Sequence, residues 1–125
     1  VITLKETIRY VLKKLHNATT KNKEISTNNN DVHIEHIMPE DRTNWQNISE
    51  EDHDAYLWRL GNLTLLSRTL NISVSNNAFI NKKQKYIDSK IEENIEIAQK
   101  NDWSISEIEN RQRDLSKIAL KLWKK

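Results

Sequence analysis

The sequence has no cysteine and only one glycine, one proline and one phenylalanine. Without thiols, disulfides and thiolate metal sites are excluded, so any metal ion would be held by oxygen and imidazole ligands. The shortage of glycine and proline leaves little turn chemistry and argues for long helices rather than a sandwich or barrel. No run of about 18 apolar residues occurs, which excludes a transmembrane helix. No basic-then-apolar opening resembles a signal peptide either, so the chain reads as cytoplasmic. It starts at Val1 and enters a helical pattern almost at once, which suggests a fragment of a longer protein.

What is present suits one domain of ordinary size over residues 1–125. Hydrophobic residues make up 36% and charged residues 30%, a polar balance still able to build a core without staples. Four tryptophans in so polar a chain support that core. The net charge of +2 is too small to imply a polyanionic partner, so distribution carries more weight than the total. Lys82, Lys83, Lys85 and Lys90 cluster in one stretch, and Arg111, Arg113, Lys117, Lys121, Lys124 and Lys125 fill the C-terminal part. The plainest reading of the latter set is a solvated helix face.

Leu4, Ile8, Val11, Leu12 and Leu15 recur at helical spacing and predict a helix over 3–16, with His16 exposed at its end. Residues 17–30 lose periodicity and read as a mobile polar connection. Val32, Ile34 and Ile37 predict a short strand closed by Pro39. Trp45 is expected to anchor the loop that follows. Ser49 caps a short helix reaching about Trp58, with His53 on its surface. Leu63 to Ser67 is a second strand, entered by the turn pair Gly61-Asn62 and paired antiparallel with the first. From Ser75 or Asn76 one helix carries Ile80, Ile87, Ile91, Ile95 and Ala98 along a side to about residue 100, with a bend near Asp88-Ser89. A final helix over 104–124 starts with a Ser104/Glu107 capping box and a Trp103–Ile108 staple.

Chemistry concentrates in Asp31-Val32-His33-Ile34-Glu35-His36-Ile37-Met38-Pro39. Histidine is the side chain whose ordinary pKa lies near neutrality, which suits His36 to deprotonating water. A carboxylate and an amide oxygen suit a hard divalent ion, so Glu35 and Asn71 are candidate ligands. Taken alone, a Glu-His pair in a strand is as well read as an exposed pair or a buried ionic contact. Strand alternation puts His33 on the side of Glu35, in reach of a ligand or supporting role. Asn62, Asn71, Asn76 and Asn77 could equally be turn and cap residues.

The order of these pieces resembles the C-terminal HNH-type domain of GmrSD restriction endonucleases. The resemblance rests on His33 to Pro39, on Leu60-Gly61-Asn62-Leu63-Thr64-Leu65-Leu66 and on Asn71 with Ser75-Asn76. It runs on through Phe79, Lys82, Tyr86 and Ser89 to Trp103, Arg111 and Trp123, and includes the opening Arg9 to Leu15. It implies an α+β, mostly α fold in which a ββα-metal core, over about residues 31–90, sets a two-stranded antiparallel ribbon among helices. It further implies a metal-dependent DNA endonuclease of a modification-dependent restriction system, acting against foreign or modified DNA and leaving 5′-phosphate and 3′-hydroxyl ends. By the same resemblance His36 is the general base and Asn62 orients the loop and base. Glu35 and Asn71 hold one divalent ion, Mg before Mn, Ni or Zn, while Lys82, Lys83 and Asn76 contact DNA. The partner it implies is an N-terminal ParB-like nucleotide-binding domain of the same protein. Many HNH sites have Asp where Glu35 stands, and the excursion from 38 to 60 is longer than in minimal sites. The alternative is a catalytically inactive HNH-like module that binds DNA or docks a neighbouring domain.

Overall fold

The computed structural model describes residues 3–19, 32–45 and 48–123. Asp31, Lys124, Lys125 and most of the expected polar connection, residues 20–30, lie outside these. The architecture is mostly helical with one two-stranded antiparallel ribbon. Strand β1 (Val32–His36) pairs with β2 (Leu63–Ser67), Val32 opposite Ser67 and His36 opposite Leu63. The expected pairing of the two runs is therefore present.

Both faces of the ribbon are covered. Leu63 and Leu65 pack with Leu12, Val32 and Ile91, whereas Leu66 joins Ile37, Met38, Val74, Tyr86, Trp103 and Ile108. Burial on two sides is why β2 reads as an unbroken apolar run rather than an alternating one.

Helix α1 (Leu4–Thr19) runs past the expected end at 16. His16 consequently lies inside, its Nδ1 3.9 Å from Glu93, and not on an exposed helix end. Helix α2 (Glu50–Tyr56) starts where expected, with Ser49 Oγ accepting from the Asp52 amide at 3.1 Å. His53, expected at the surface, is buried, and its Nε2 donates to the Pro39 carbonyl at 2.7 Å. The loop after β1 folds over that side of α2. Trp45 packs against the main core beside Phe79, as anticipated.

Residues Leu60–Asn62 form one turn of 3-10 helix. Gly61 is not at positive φ, so turn conformation does not explain it. A Cβ there would sit 2.2 Å from the Ile108 carbonyl and 2.9 Å from the Gln112 amide. The chain's only glycine lets helix α6 (Ile105–Leu122) approach main chain to main chain.

Two departures affect the site. The stretch after β2, to which the sequence reading assigned no element, is helix α3 (Arg68–Val74), capped by Ser67. Asn71 is thus on a helix. The long helix expected from 75 is two, α4 (Phe79–Asp88) and α5 (Glu92–Ala98), broken at Lys90 with φ 61°. Its expected apolar face is also wrong in the first half. Ile80 and Ile87 are exposed, and α4 turns Phe79, Lys82 and Tyr86 inward. In α6 the Glu107 carboxylate accepts from the Ser104 amide at 2.7 Å, and Trp103 and Ile108 share a cluster, as the capping and staple signals predict. Among the described residues no helix is long and apolar enough to cross a membrane.

Candidate functional site

A polar cavity of about 520 Å³ opens beside β1, lined by Glu35, His36, Glu40, Asp41, Asn71 and Asn76 among others. Adjacent strand residues face opposite sides of a ribbon. Glu35 and His36 therefore reach the cavity from the two faces of β1, around the edge that β2 leaves unpaired. Helix α3 closes that edge, because Asn71 Nδ2 donates to the Ile34 carbonyl at 3.3 Å and to Glu35 Oε1 at 3.2 Å. The three residues expected to act together do line one cavity.

Glu35 is 3% exposed and sits in a closed network. Its Oε2 accepts from Lys82 Nζ at 2.9 Å and from the Tyr86 hydroxyl at 2.7 Å. Burial pushes its pKa up from the ordinary carboxylate range, with Lys82 and Tyr86 pulling against that. Lys82 is pushed down by the same burial, opposed by Glu35, and the Tyr86 hydroxyl is held well above its usual range. Lys82 also donates to the carbonyls of His36 at 2.8 Å and Ile37 at 3.0 Å. With no exposed surface and three acceptors, Lys82 cannot reach a DNA phosphate in this fold, which corrects the contact expected of it. The ammonium faces inward because Glu35, placed under the ribbon, needs a counter-charge there.

His36 has its ring edge-on to Trp58, centroids 4.3 Å apart, and its Nδ1 3.9 Å from the exposed Glu40 carboxylate. Its Nε2 is buried without a hydrogen-bond partner among the described residues. Burial lowers its pKa to about 4; Glu40 opposes this, while Lys82, Lys5 and His53 lower it further. The imidazole is consequently neutral at pH 7 and able to accept a proton.

Asn62 is fully buried and fully used. Its Oδ1 accepts from the Met38 amide at 2.8 Å and from Trp103 Nε1 at 3.1 Å. Its Nδ2 donates to the Met38 and Leu57 carbonyls at 2.9 and 3.0 Å. It is a brace on the chain leaving β1 rather than a group facing the cavity. Asn76 is at the mouth, its Oδ1 accepting from the Asp41 amide at 3.3 Å. Lys83 lies over the Phe79 ring at 5.2 Å and does not line the cavity. His33 lines an adjoining hollow together with His36 and Asn71.

Two groups around the cavity escape a reading for motifs. Tyr86, a third partner of Glu35, entered the sequence reading only as a position of the family resemblance, with no role beyond its i+4 spacing from Lys82. Lys5 and Arg9 of α1, with Trp58, line the adjoining hollow of about 310 Å³ that shares His36, Glu40 and Asn71. Beyond Arg9 opening a stretch that resembles the family, their trace in sequence is a basic i, i+4 pair on one helix face.

Among the described residues no three His, Asp or Glu side chains group as an ion-binding cluster. The cavity offers the oxygens of the buried Glu35 carboxylate and the Asn71 amide, with the Glu40 and Asp41 carboxylates and the Asn76 amide also on its lining. Glu35 Oε1 accepts a single long hydrogen bond, and Asn71 Oδ1 accepts none among the described residues. That donor set fits a hard ion that keeps most of its shell as water and phosphate oxygens. It does not fit a closed zinc site.

A ribbon of two strands bearing an acid and an imidazole, closed by a helix bearing an amide, defines a mostly helical α+β domain with a polar cavity at the ribbon's edge. The family described as GmrSD restriction endonucleases, C-terminal domain, matches residues 3–118, and the chain belongs to it. Membership suggests a restriction endonuclease domain with DNA as its substrate. The search of curated proteins and the search of solved structures each returned no match.

Proposed function

We propose that this is a metal-dependent DNA endonuclease domain built on a ββα-metal, or HNH, core of β1, β2 and α3. The observation that carries the reading is the meeting of the His36 ring, the Glu35 carboxylate and the Asn71 amide at one open polar cavity. His36 takes the proton of a water molecule, the water oxygen attacks phosphorus, and the P–O3′ bond breaks; O3′ takes a proton from solvent, leaving a 5′-phosphate and a 3′-hydroxyl. The resulting imidazolium is stabilised by Glu40, 3.9 Å from Nδ1. A scissile phosphate in the cavity raises the proton affinity of His36 by its negative charge. Glu35 and Asn71 would hold a divalent ion, Mg by the hardness of the donors, which supplies neutralisation of charge on the phosphoryl oxygens and the departing O3′. Asn62 and Lys82 position the chain that carries His36 through their main-chain bonds. In the cell we place the domain in the cytoplasm, acting on foreign or modified DNA beside a ParB-like nucleotide-binding domain of the same protein.

The runner-up, an inactive module that binds DNA or docks its neighbour, draws on one observation: Glu35 already has a cationic partner in Lys82 at 2.9 Å. Nicking of supercoiled plasmid with Mg or Mn decides between them. His36→Ala is expected to fold, bind DNA and cut about 10²–10⁴-fold more slowly, the usual contribution of a general base. Near wild-type cutting by that variant removes His36 from the reaction, and no metal-dependent cutting by the unmutated chain favours the inactive module.

A further inference from the structure

The adjoining hollow on the other side of His36 differs in chemistry from the main cavity. Lys5 and Arg9 stand on one face of α1, and Trp58 forms its other wall. Glu6, the acid beside them, is turned to the helix start, where its Oε2 accepts from the Thr3 amide at 2.9 Å. Trp58 is 43% exposed, and its indole N–H donates to nothing among the described residues. A large aromatic side chain left open at the rim of a polar cavity, touching the candidate base on one side and facing two cations, is poorly explained by core packing. It is the combination that takes hold of an unstacked nucleotide: a π-face for the base and cations for the backbone.

We propose that this hollow binds a nucleotide of the cleaved strand next to the scissile phosphate, with its base stacked on Trp58 and its phosphates on Lys5 and Arg9. The site requires that base to be out of a duplex stack, because a paired base inside B-form DNA has no free face to offer. The substrate segment is therefore single-stranded or locally unpaired at the cut. The seat also assigns to α1 the phosphate contact that Lys82, being buried, does not make. This proposal rests on the nuclease reading for the identity of the strand.

The test measures binding separately from cleavage. His36→Ala protein is titrated with a short oligodeoxythymidylate and with a duplex of equal length, following intrinsic fluorescence. Loss of one base stack by Trp58→Leu is expected to weaken the single strand about 5- to 100-fold, with much of the quenching lost. Trp58→Phe, which keeps an aromatic face, is expected to restore most of the affinity, read from the remaining tryptophans. Replacing both Lys5 and Arg9 by Gln should flatten the dependence of log affinity on log salt by about 1.4, two single-strand phosphate contacts at about 0.7 each. Lys5 is exposed and Arg9 half-buried, and Gln keeps a polar side chain at both, so this variant carries the test even if Trp58→Leu disturbs folding. The proposal is overturned if Trp58→Leu binds within about twofold of its parent, if Trp58→Phe is as weak as Trp58→Leu, or if the double Gln variant keeps the parent's salt slope. Plasmid nicking by the unmutated chain reports on the nuclease reading independently. Binding through Trp58 without cutting sinks that reading alone, and cutting with unaltered binding in these variants sinks the nucleotide seat alone.

Discussion

Lys82 is the residue on which the site's rigidity depends. One ammonium bonds the Glu35 carboxylate and two consecutive carbonyls, those of His36 and Ile37, so it ties the acid to the backbone that carries His36. Lys82→Met keeps the length of the side chain and removes the charge, leaving a buried carboxylate with only Tyr86 and Asn71. Breaking one partner of a buried pair typically costs about 3–5 kcal/mol. A fall of that order in unfolding free energy at pH 7 is expected in urea titration, and an unchanged midpoint would show that the pair is not formed. His36 gives a second prediction with a definite sign. Its folded pKa of about 4 is below the unfolded value of 6.5, so between those pH values the unfolded chain holds a proton that the folded chain lacks. Stability is therefore full above pH 6.5, falls as pH drops through that window, and stops responding to His36 below about 4. The total is of order 3 kcal/mol by the usual conversion of pKa units. In metal-free protein the His36 ring protons should titrate by NMR with a midpoint near 4; a midpoint near 6.5 would contradict the burial. Glu40, Lys82, Lys5 and His53 face the ring, so replacing Glu40 by Gln should lower the midpoint further.

At the scale of elements, the close contact between the 3-10 turn and α6 has one tolerant residue. Gly61 donates its amide to Gln112 Oε1 at 2.6 Å, and Arg111 on the same helix donates to the carbonyls of Leu60, Gly61 and Leu63. Gly61→Ala puts a methyl group into the α6 backbone, where neither side can yield as a flexible side chain would. A loss of about 1–3 kcal/mol, the usual cost of overpacking, should appear as a lower melting temperature. The variant should lose stability without a new site defect if α6 shifts away as a unit. The same comparison shows what could be read in advance. The ribbon, the Ser49 and Ser104 starts, and the Trp45 and Trp103 anchors follow from local pattern and were legible. The inward face of α4 was not, because its burial is decided by polar pairing. Hydropathy favours Ile80 and Ile87, but the acid under the ribbon draws in Lys82 and Tyr86. Likewise α3 has the β-branched composition of an extended segment, Thr69, Ile72 and Val74, and is helical through tertiary packing and the Ser67 cap. In the site, Glu35, His36 and Asn71 were legible as a set because their order follows the family pattern, whereas Lys5, Arg9 and Trp58 come together only through the packing of α1 and the loop after α2.

For the molecule as a whole, β2 is the shared member of two apolar clusters. Leu63 and Leu65 face Leu12 of α1 and Ile91, and Leu66 faces the cluster that holds Trp103 and Tyr86. A strand that supplies side chains to both sides couples them, since neither cluster can open without taking the ribbon from the other. The site lies on that same ribbon, so its geometry should persist until global unfolding rather than soften first. Leu65→Ala removes apolar volume only from the α1 side, at a cost of about 2–5 kcal/mol. If the clusters are coupled, unfolding remains a single transition, and the midpoint seen from near-UV signals of the buried Trp103 falls by the same amount as the midpoint seen from helix content. Two separated transitions, with the Trp103 signal unmoved, would instead mean that α1 and its cluster are an independent unit, and that the proposed nucleotide seat of Lys5 and Arg9 can detach from the main cavity.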